Sequence, residues 1–177
     1  DMYNWVKPKC VIPVHFSGVP CDMKFIYNYL KPYNIDIIED ASHALGAKYK
    51  DGSMVGNCKF SDMTIFSFHP VKSITSGEGG IVTTNNKDLY KKLLRLRSHG
   101  INKLDDNYIN KKNAYTDDIF NPWYYEMIED GFNYRLSDIH SSLARSQLKL
   151  LDSFINKRKE LSYRYDQLFK DCKNIQL

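Results

Sequence analysis

Alternating strand and helix patterns near the start of the chain restrict its fold more than any other feature. The apolar runs at residues 10–15 (CVIPVH) and 35–40 (IDIIED) have the length and residue types of buried β-strands. Between them, Asp22 is placed to cap a helix whose apolar positions recur at helical spacing: Met23, Ile26, Tyr27 and Leu30. A strand, a helix and a second strand in this order predict a parallel pair.

Two more apolar runs extend the predicted sheet. Residues 62–68 (DMTIFSF) and 80–84 (GIVTT) have strand patterns, and residues 87–100 then predict a helix that closes at Gly100. Residues 101–122 are rich in Asn, Asp and Lys, which predicts a long excursion outside the core. The sequence therefore predicts an α/β fold with a mixed, mostly parallel sheet flanked by helices.

The last quarter of the chain is predicted to be helical almost throughout. Ser137 or Asp138 is the candidate N-cap, and an apolar stripe follows at Leu148, Leu151, Ile155, Leu161, Tyr165 and Leu168. One interpretation of this stripe is a helical interaction module. Packing within the protein explains the same stripe.

Composition narrows the possible functions. The 177 residues are 42% hydrophobic and 26% charged, which is typical of a globular domain with a real core. The net charge of +4 is spread over helix-like segments, with its densest clusters at residues 91–97 and 155–160, so we expect solvated faces rather than nucleic-acid binding. No apolar run has the length of a membrane span, and residues 1–10 do not resemble a signal peptide, so a cytoplasmic location is expected.

The cysteines and histidines do not predict a metal site. Four cysteines lie far apart without a C-x-x-C pair, and the histidines lack metal-ligand spacing. We therefore expect reduced, structural thiols and no metal.

Two segments place reactive groups at predicted strand ends, where α/β folds hold ligands. In the first, IIEDASHALGA, an apolar run delivers Asp40 to the edge of the sheet, and small residues and His43 follow. This segment favours a flat ligand close to the backbone. It is equally compatible with Asp40 capping the following turn.

The second segment, FSFHPVKSITSGEGG, contains Ser67 at the end of a strand and Lys72 before a glycine-rich turn. A lone lysine is usually a solvated surface residue. Together with Asp40, however, the segment offers what a pyridoxal phosphate (PLP) site requires: an amine for a Schiff base, hydroxyls and amides for the phosphate, and a carboxylate for the pyridine nitrogen.

Four motifs resemble, in order, those of the DegT/DnrJ/EryC1 family of PLP-dependent sugar aminotransferases: EDASHALGA, FSFHPVKSITSGEGG, LRSHGI and GFNYRLSDIHSSLARSQL. FHPVK, LRSHGI and WYYEM are most similar to the branch that aminates C4 of a UDP-4-keto-6-deoxy-N-acetyl-hexosamine in the pseudaminic acid pathway. The resemblance implies a fold type I transferase. Residues 1–135 would belong to its PLP-binding large domain, and residues 136–177 would form a helical segment leading into a small domain that lies mostly outside this sequence.

The resemblance also implies roles for individual residues. Lys72 aligns with the Schiff-base lysine, and Asp40 with the aspartate that pairs with the pyridine nitrogen. His43 is similar to a residue that contacts the ring or its 3-oxygen, and Ser67 to a phosphate ligand. Asn133 matches an asparagine that reaches the partner subunit's cofactor phosphate in a homodimer. A turn residue is the alternative interpretation of Asn133.

The expected function is amino transfer from an amino acid, with glutamate as the expected donor, to the 4-keto group of a nucleotide-linked 6-deoxy sugar for glycan biosynthesis. A dehydratase branch of the family has histidine at the lysine position, so Lys72 favours transamination. Family members are considerably longer than this chain. The alternative is therefore a catalytically incompetent fragment or a PLP-binding relic. No nucleic-acid or membrane partner is expected.

Overall fold

The computed structural model describes residues 7–102 and 108–175, which fall into two compact units. The first combines Asp1–Asn85 with Ser137–Leu177, and the second is Asn86–Leu136. No helix in the described ranges is both long and apolar enough to cross a bilayer. The family resemblance assigns residues 1–135 to a large domain and residues 136–177 to a segment leading into a small domain. The two compact units do not test that assignment, which stays a prediction.

The main sheet lies in the first unit and has four strands in the order β1-β2-β3-β4. Their bounds are Cys10–Val11 for β1, Asp36–Asp40 for β2, Met63–Ser67 for β3 and Gly80–Thr83 for β4. The first three are parallel, and β4 runs antiparallel to β3. The predicted α/β class and mixed, mostly parallel sheet are confirmed.

The first strand is shorter than its sequence pattern predicts. The expected strand covered residues 10–15, but β1 ends at Val11, two residues before Pro13, which has no backbone N–H to donate. Pairing with β2 resumes beyond the proline as a bridge between Val14 and Asp40. The residues after Pro13 are therefore still paired with the end of β2.

Helices pack against the core of the first unit, but the predicted C-terminal apolar stripe is largely exposed, at Leu148, Leu161, Tyr165 and Leu168. Helix α1 (Met23–Leu30) begins where the Asp22 carboxylate accepts the Phe25 N–H, and it buries Met23 and Leu30. Ser137 caps α4 (Asp138–Leu148), and α5 (Leu151–Phe169) follows. The segment is thus helical almost throughout, as predicted, with a break between the two helices. Ala144, Leu151 and Phe154 pack against the core that also contains Ile37, Phe66 and Ile74.

The second unit contains more regular structure than its polar sequence predicts. Its elements are α2 (Lys87–Leu96), β5 (Ile101–Asn102), α3 (Lys111–Ala114), β6 (Tyr115–Thr116), β7 (Ile119–Phe120) and β8 (Glu126–Met127). The hairpin of β6 and β7 turns at Asp117 and Asp118, which both have positive φ. Aspartate tolerates this conformation better than most residues. The predicted excursion at residues 101–122 lies outside the core of the first unit, as expected, but its described part contains short strands and a helical turn.

Gly100→Ala is expected to destabilise the second unit by at least about 2 kcal/mol. Gly100 has φ +66°, and an added Cβ would overlap the Glu129 carbonyl oxygen. Gly52→Ala is the matched control, since Gly52 has φ +81° with open space around it, and we expect a cost of about 1 kcal/mol. Urea unfolding of both variants measures the difference. Equal costs would contradict the steric argument.

Candidate active site

Strands β2 and β3 deliver two of the predicted site residues to the same edge of the sheet. Asp40 is the last residue of β2, and Ser67 is the last residue of β3. The two strands are parallel neighbours, with Asp40 in register with Ile65. Because parallel strands share an edge for their carboxyl ends, the sheet brings both residues to the place where α/β folds bind ligands.

Backbone pairing on both sides fixes the position of Asp40. Its N–H donates to the Pro13 carbonyl (2.9 Å), and its carbonyl accepts the His15 N–H (2.9 Å). The following residue, Ala41, donates to the Ile65 carbonyl of β3 (2.9 Å). The end of β2 is therefore held between the segments on either side of it.

The Asp40 carboxylate is partly exposed and stays ionised. Its Oδ1 accepts the Ser42 N–H (3.0 Å), so the turn-capping role does exist. Hydrogen bonding to Ser42 lowers the pKa of the Asp40 carboxyl, although partial burial opposes the effect. Electrostatic interactions with His43 and Lys72 lower this pKa further. The carboxylate thus caps a turn and also lies within electrostatic range of the Lys72 amine.

Lys72 lies in a tight connection between β3 and β4. Its N–H donates to the His69 carbonyl (3.0 Å), and the Phe68 carbonyl accepts both the Thr75 hydroxyl and the Ser76 N–H (3.0 Å each). Phe68 in turn donates its N–H to the Gly79 carbonyl (2.8 Å). These bonds make the connection a defined turn, and the Lys72 side chain within it is half-buried.

An open cavity of about 420 Å³ adjoins Lys72 on the side of α5. Phe154, Lys157 and Arg158 line it together with the turn. The Arg158 guanidinium also donates to the Lys72 carbonyl (3.3 Å). Lys72 therefore borders a space that a ligand can enter, but the lining of this cavity includes neither Asp40 nor Ser67.

The other predicted site residues are His43, Ser67 and Asn133, and the hydrogen bonds of the His43 and Ser67 side chains are longer than that of the Asp40 carboxylate. The His43 ring is exposed, accepts the Ser17 N–H at Nδ1 (3.3 Å) and lies tilted against Phe16. The Ser67 hydroxyl oxygen accepts the His69 N–H (3.4 Å). Asn133 belongs to the second unit, where it is exposed and forms a bridge with Ser98. Their roles stay predictions.

Sequence reasoning missed a buried polar network beside Asp40. The Glu39 carboxylate and the His15 ring are both fully buried, with 2.8 Å between Nε2 and Oε2. The Tyr49 hydroxyl donates to Oε2 (2.5 Å), and the hydroxyls of Ser61 and Thr64 donate to Oε1. Glu39 lies two residues after Ile37, on the same buried face of β2. An acid at a position whose spacing predicts burial was the sequence signal for such a network.

The hydrogen-bond donors around Glu39 determine which groups of this network are ionised. Burial raises the pKa of Glu39, but hydrogen bonds from His15, Ser61 and Tyr49 outweigh it, so the pKa lies below the ordinary value of 4.5. Burial and the bond to Glu39 raise the pKa of Tyr49 well above its usual range. The network therefore holds a buried carboxylate and a neutral phenol.

The residues around Lys72 fit PLP and do not resemble a metal centre. Asp40 and Ser67 end two neighbouring parallel strands, and Lys72 lies in the glycine-rich connection that follows Ser67, so this part of the chain offers the kinds of group that the cofactor's ring nitrogen, phosphate and aldehyde need. Within residues 7–102 and 108–175, no cluster of three or more His, Cys, Asp or Glu side chains could hold a metal ion.

Comparison with known proteins identifies the class. Residues 6–177 match the DegT/DnrJ/EryC1/StrS aminotransferase family, and the chain belongs to it. The predicted family is thereby confirmed. One similar relative is the UDP-4-amino-4,6-dideoxy-N-acetyl-beta-L-altrosamine transaminase of Campylobacter jejuni strain 81-176, which is 46% identical over 89% of this chain. The spore coat polysaccharide biosynthesis protein SpsC of Bacillus subtilis is 34% identical over 96% of it.

Solved structures agree with the predicted fold type I. Helicobacter pylori PseC, an aminotransferase involved in the biosynthesis of pseudoaminic acid, has a TM-score of 0.77 and 33% identity over 92% of this chain. The putative sugar aminotransferase Spr1654 of Streptococcus pneumoniae, in a PLP form, has a TM-score of 0.72 and 29% identity. The chain spans 37% of the Campylobacter enzyme, 41% of SpsC and 38% of the PseC chain, about two fifths of their lengths.

Proposed function

We propose that the protein is a PLP-dependent sugar-nucleotide aminotransferase. It moves the amino group of an amino acid, glutamate in our proposal, to the 4-keto carbon of a nucleotide-linked 6-deoxy sugar for glycan biosynthesis. The observation that carries this proposal is the half-buried Lys72 within electrostatic range of the ionised Asp40 at the strand ends. Similarity to the Campylobacter transaminase supports the choice of substrate.

In this proposal each site residue has a separate task. Bound PLP supplies an electron sink for the carbon whose proton is removed. The Asp40 carboxylate keeps the pyridine nitrogen protonated, and the Ser67 hydroxyl holds the phosphate. His43 lies against the ring. Asn133 acts on the phosphate in the partner subunit of a cytoplasmic homodimer.

Lys72 has two tasks in the proposed reaction. Its Nζ first holds the cofactor covalently, which keeps the cofactor in the site between reactions. In the half-reaction with the amino donor, Nζ would remove the proton from the donor's Cα, and in the half-reaction with the acceptor it would deliver a proton to C4 of the sugar. Because the two half-reactions use one amine at one position, donor and acceptor must occupy the site in turn.

Turnover by the longest natural form of the protein tests the proposal. We expect glutamate and a UDP-4-keto-6-deoxy-N-acetyl-hexosamine to yield 2-oxoglutarate and a 4-amino sugar nucleotide, measured by coupled assay and mass spectrometry. No 2-oxoglutarate with this sugar would count against the proposed function. PLP bound at Lys72 with no turnover of any keto sugar would instead favour a cofactor-binding relic.

Asp40→Asn is expected to lower kcat by about 10²–10³-fold, because a neutral amide cannot keep the ring nitrogen charged. The matched control is Asp36→Asn at the exposed opposite end of β2, which we expect to leave kcat unchanged. Steady-state kinetics with glutamate compare the two variants. Equal activities would contradict the role of Asp40.

A further inference from the structure

Glu39 and Asp40 are consecutive acids on β2 with opposite surroundings. Glu39 is fully buried, whereas Asp40 is partly exposed at the strand end. Side chains alternate along a strand, so the two carboxylates lie on opposite faces of the sheet. Glu39 therefore does not enter the space on the Asp40 side of the sheet. Any effect of Glu39 on the position of Asp40 must pass through the backbone.

The hydrogen-bond directions in the buried network are fixed by one backbone contact. The Cys21 N–H donates to Nδ1 of His15 (3.2 Å), so Nδ1 is the acceptor and the proton lies on Nε2. Nε2 therefore donates to Oε2 of Glu39. With the three hydroxyl donors, both carboxylate oxygens are satisfied. Among the described residues, no buried side-chain nitrogen or oxygen lacks a partner.

His15 connects this network to Asp40. Its side chain is bonded to Glu39, and its own N–H donates to the Asp40 carbonyl (2.9 Å). Thr64 lies on β3, so Glu39 also binds the neighbouring strand on the other side (3.1 Å). The charged Glu39 thus holds the chain segments on both sides of the β2 end, between which the Asp40 backbone is paired.

We propose that Glu39 and His15 are positioning residues that hold Asp40 in the geometry needed to bind PLP. The inference rests on the proposed function. A site group must be held to within about 0.5 Å to act on its ligand, and side chains fixed by a buried network provide such support. Loss of the Glu39 charge weakens all four hydrogen bonds of the network at once, including those of His15 and Thr64 on the two sides of β2.

A double-mutant cycle on PLP binding tests this inference. In the longest natural form, the PLP dissociation constant is measured by absorbance for wild type, Glu39→Gln, Asp40→Asn and the double variant. We expect Glu39→Gln to weaken binding about tenfold when Asp40 is present and less than about twofold in the Asp40→Asn background. A merely structural role of Glu39 would weaken PLP binding equally in both backgrounds, and that outcome would overturn the inference.

A milder substitution covers the case in which Glu39→Gln does not fold. Tyr49→Phe removes a single donor to Glu39 and leaves His15, Ser61 and Thr64 in place. We expect a smaller loss of PLP affinity that again disappears in the Asp40→Asn background. If wild type binds PLP at Lys72 but this cycle is additive, only the positioning role fails. If wild type binds no PLP, the proposed function fails first.

Discussion

Lys72→Ala is expected to lower kcat for amino transfer by at least about 10³-fold and to abolish covalent capture of the cofactor. No other amine is expected to replace Nζ, because Lys72 is the lysine whose charge acts on Asp40 at the strand ends. Borohydride reduction with PLP, followed by peptide mass mapping, locates the adduct in wild type. Steady-state kinetics then measure the loss of turnover in the variant.

The matched control is Lys50→Ala. Lys50 is a highly exposed lysine of the same unit whose amine pairs with Asp22 at the surface (2.8 Å). Exposed ion pairs contribute at most about 1 kcal/mol, so this variant is expected to keep full activity and to carry the adduct on Lys72. Retention of a tenth or more of the activity by Lys72→Ala, or an adduct on another lysine in wild type, would remove the basis of the proposed mechanism.

Glu39→Ala is expected to lower the free energy of unfolding by about 3–5 kcal/mol, a large part of the stability of a typical domain. The substitution leaves the buried donors of His15 and Tyr49 without their acceptor, and each such group costs about 1–3 kcal/mol. Urea unfolding of the cofactor-free protein measures the loss. Glu160→Ala is the control, since Glu160 pairs with Lys157 at the surface, and its expected cost is below about 1 kcal/mol.

The same carboxylate makes stability depend on pH in a defined direction. Hydrogen bonds from His15, Ser61 and Tyr49 hold the pKa of Glu39 in the folded protein below its ordinary value of 4.5, although burial opposes them. Its stabilising contribution is therefore complete above that value and disappears as the pH falls through the lower, folded pKa. Wild type is expected to lose more stability on acidification than Glu39→Ala. Identical acid profiles would show that Glu39 is not ionised in the fold.

The sequence predicted the elements that depend on local pattern and missed those that depend on contacts between distant residues. Apolar periodicity located β2, β3, β4 and the main helices, and Asp22 and Ser137 cap their helices as expected. The early end of β1 was visible in principle, because Pro13 stands in the predicted strand. The hairpin after Ala114 depends on two consecutive aspartates with positive φ, which polar composition alone does not indicate.

The candidate site shows the same division. Asp40 and Lys72 were predicted as site residues because Asp40 ends one apolar run and Lys72 follows another. Glu39 was missed because its partners come from residues 15, 49, 61 and 64, and their convergence depends on the order of the strands. A charged side chain two residues from buried Ile37, on the same face of the strand, indicates that it has hydrogen-bond partners. The sequence does not identify those partners.

The adjacent acids of β2 also bear on how the chain finds its correct pairing. A shift of β2 by one residue would exchange the faces of Glu39 and Asp40. Aspartate is one methylene shorter, so it would not reach the donors of His15, Tyr49 and Ser61 together, and the longer acid would stand at the ligand edge. Misaligned chains would therefore leave buried donors unsatisfied. Correct register thus places the longer acid among the buried donors and the shorter acid at the end of β2.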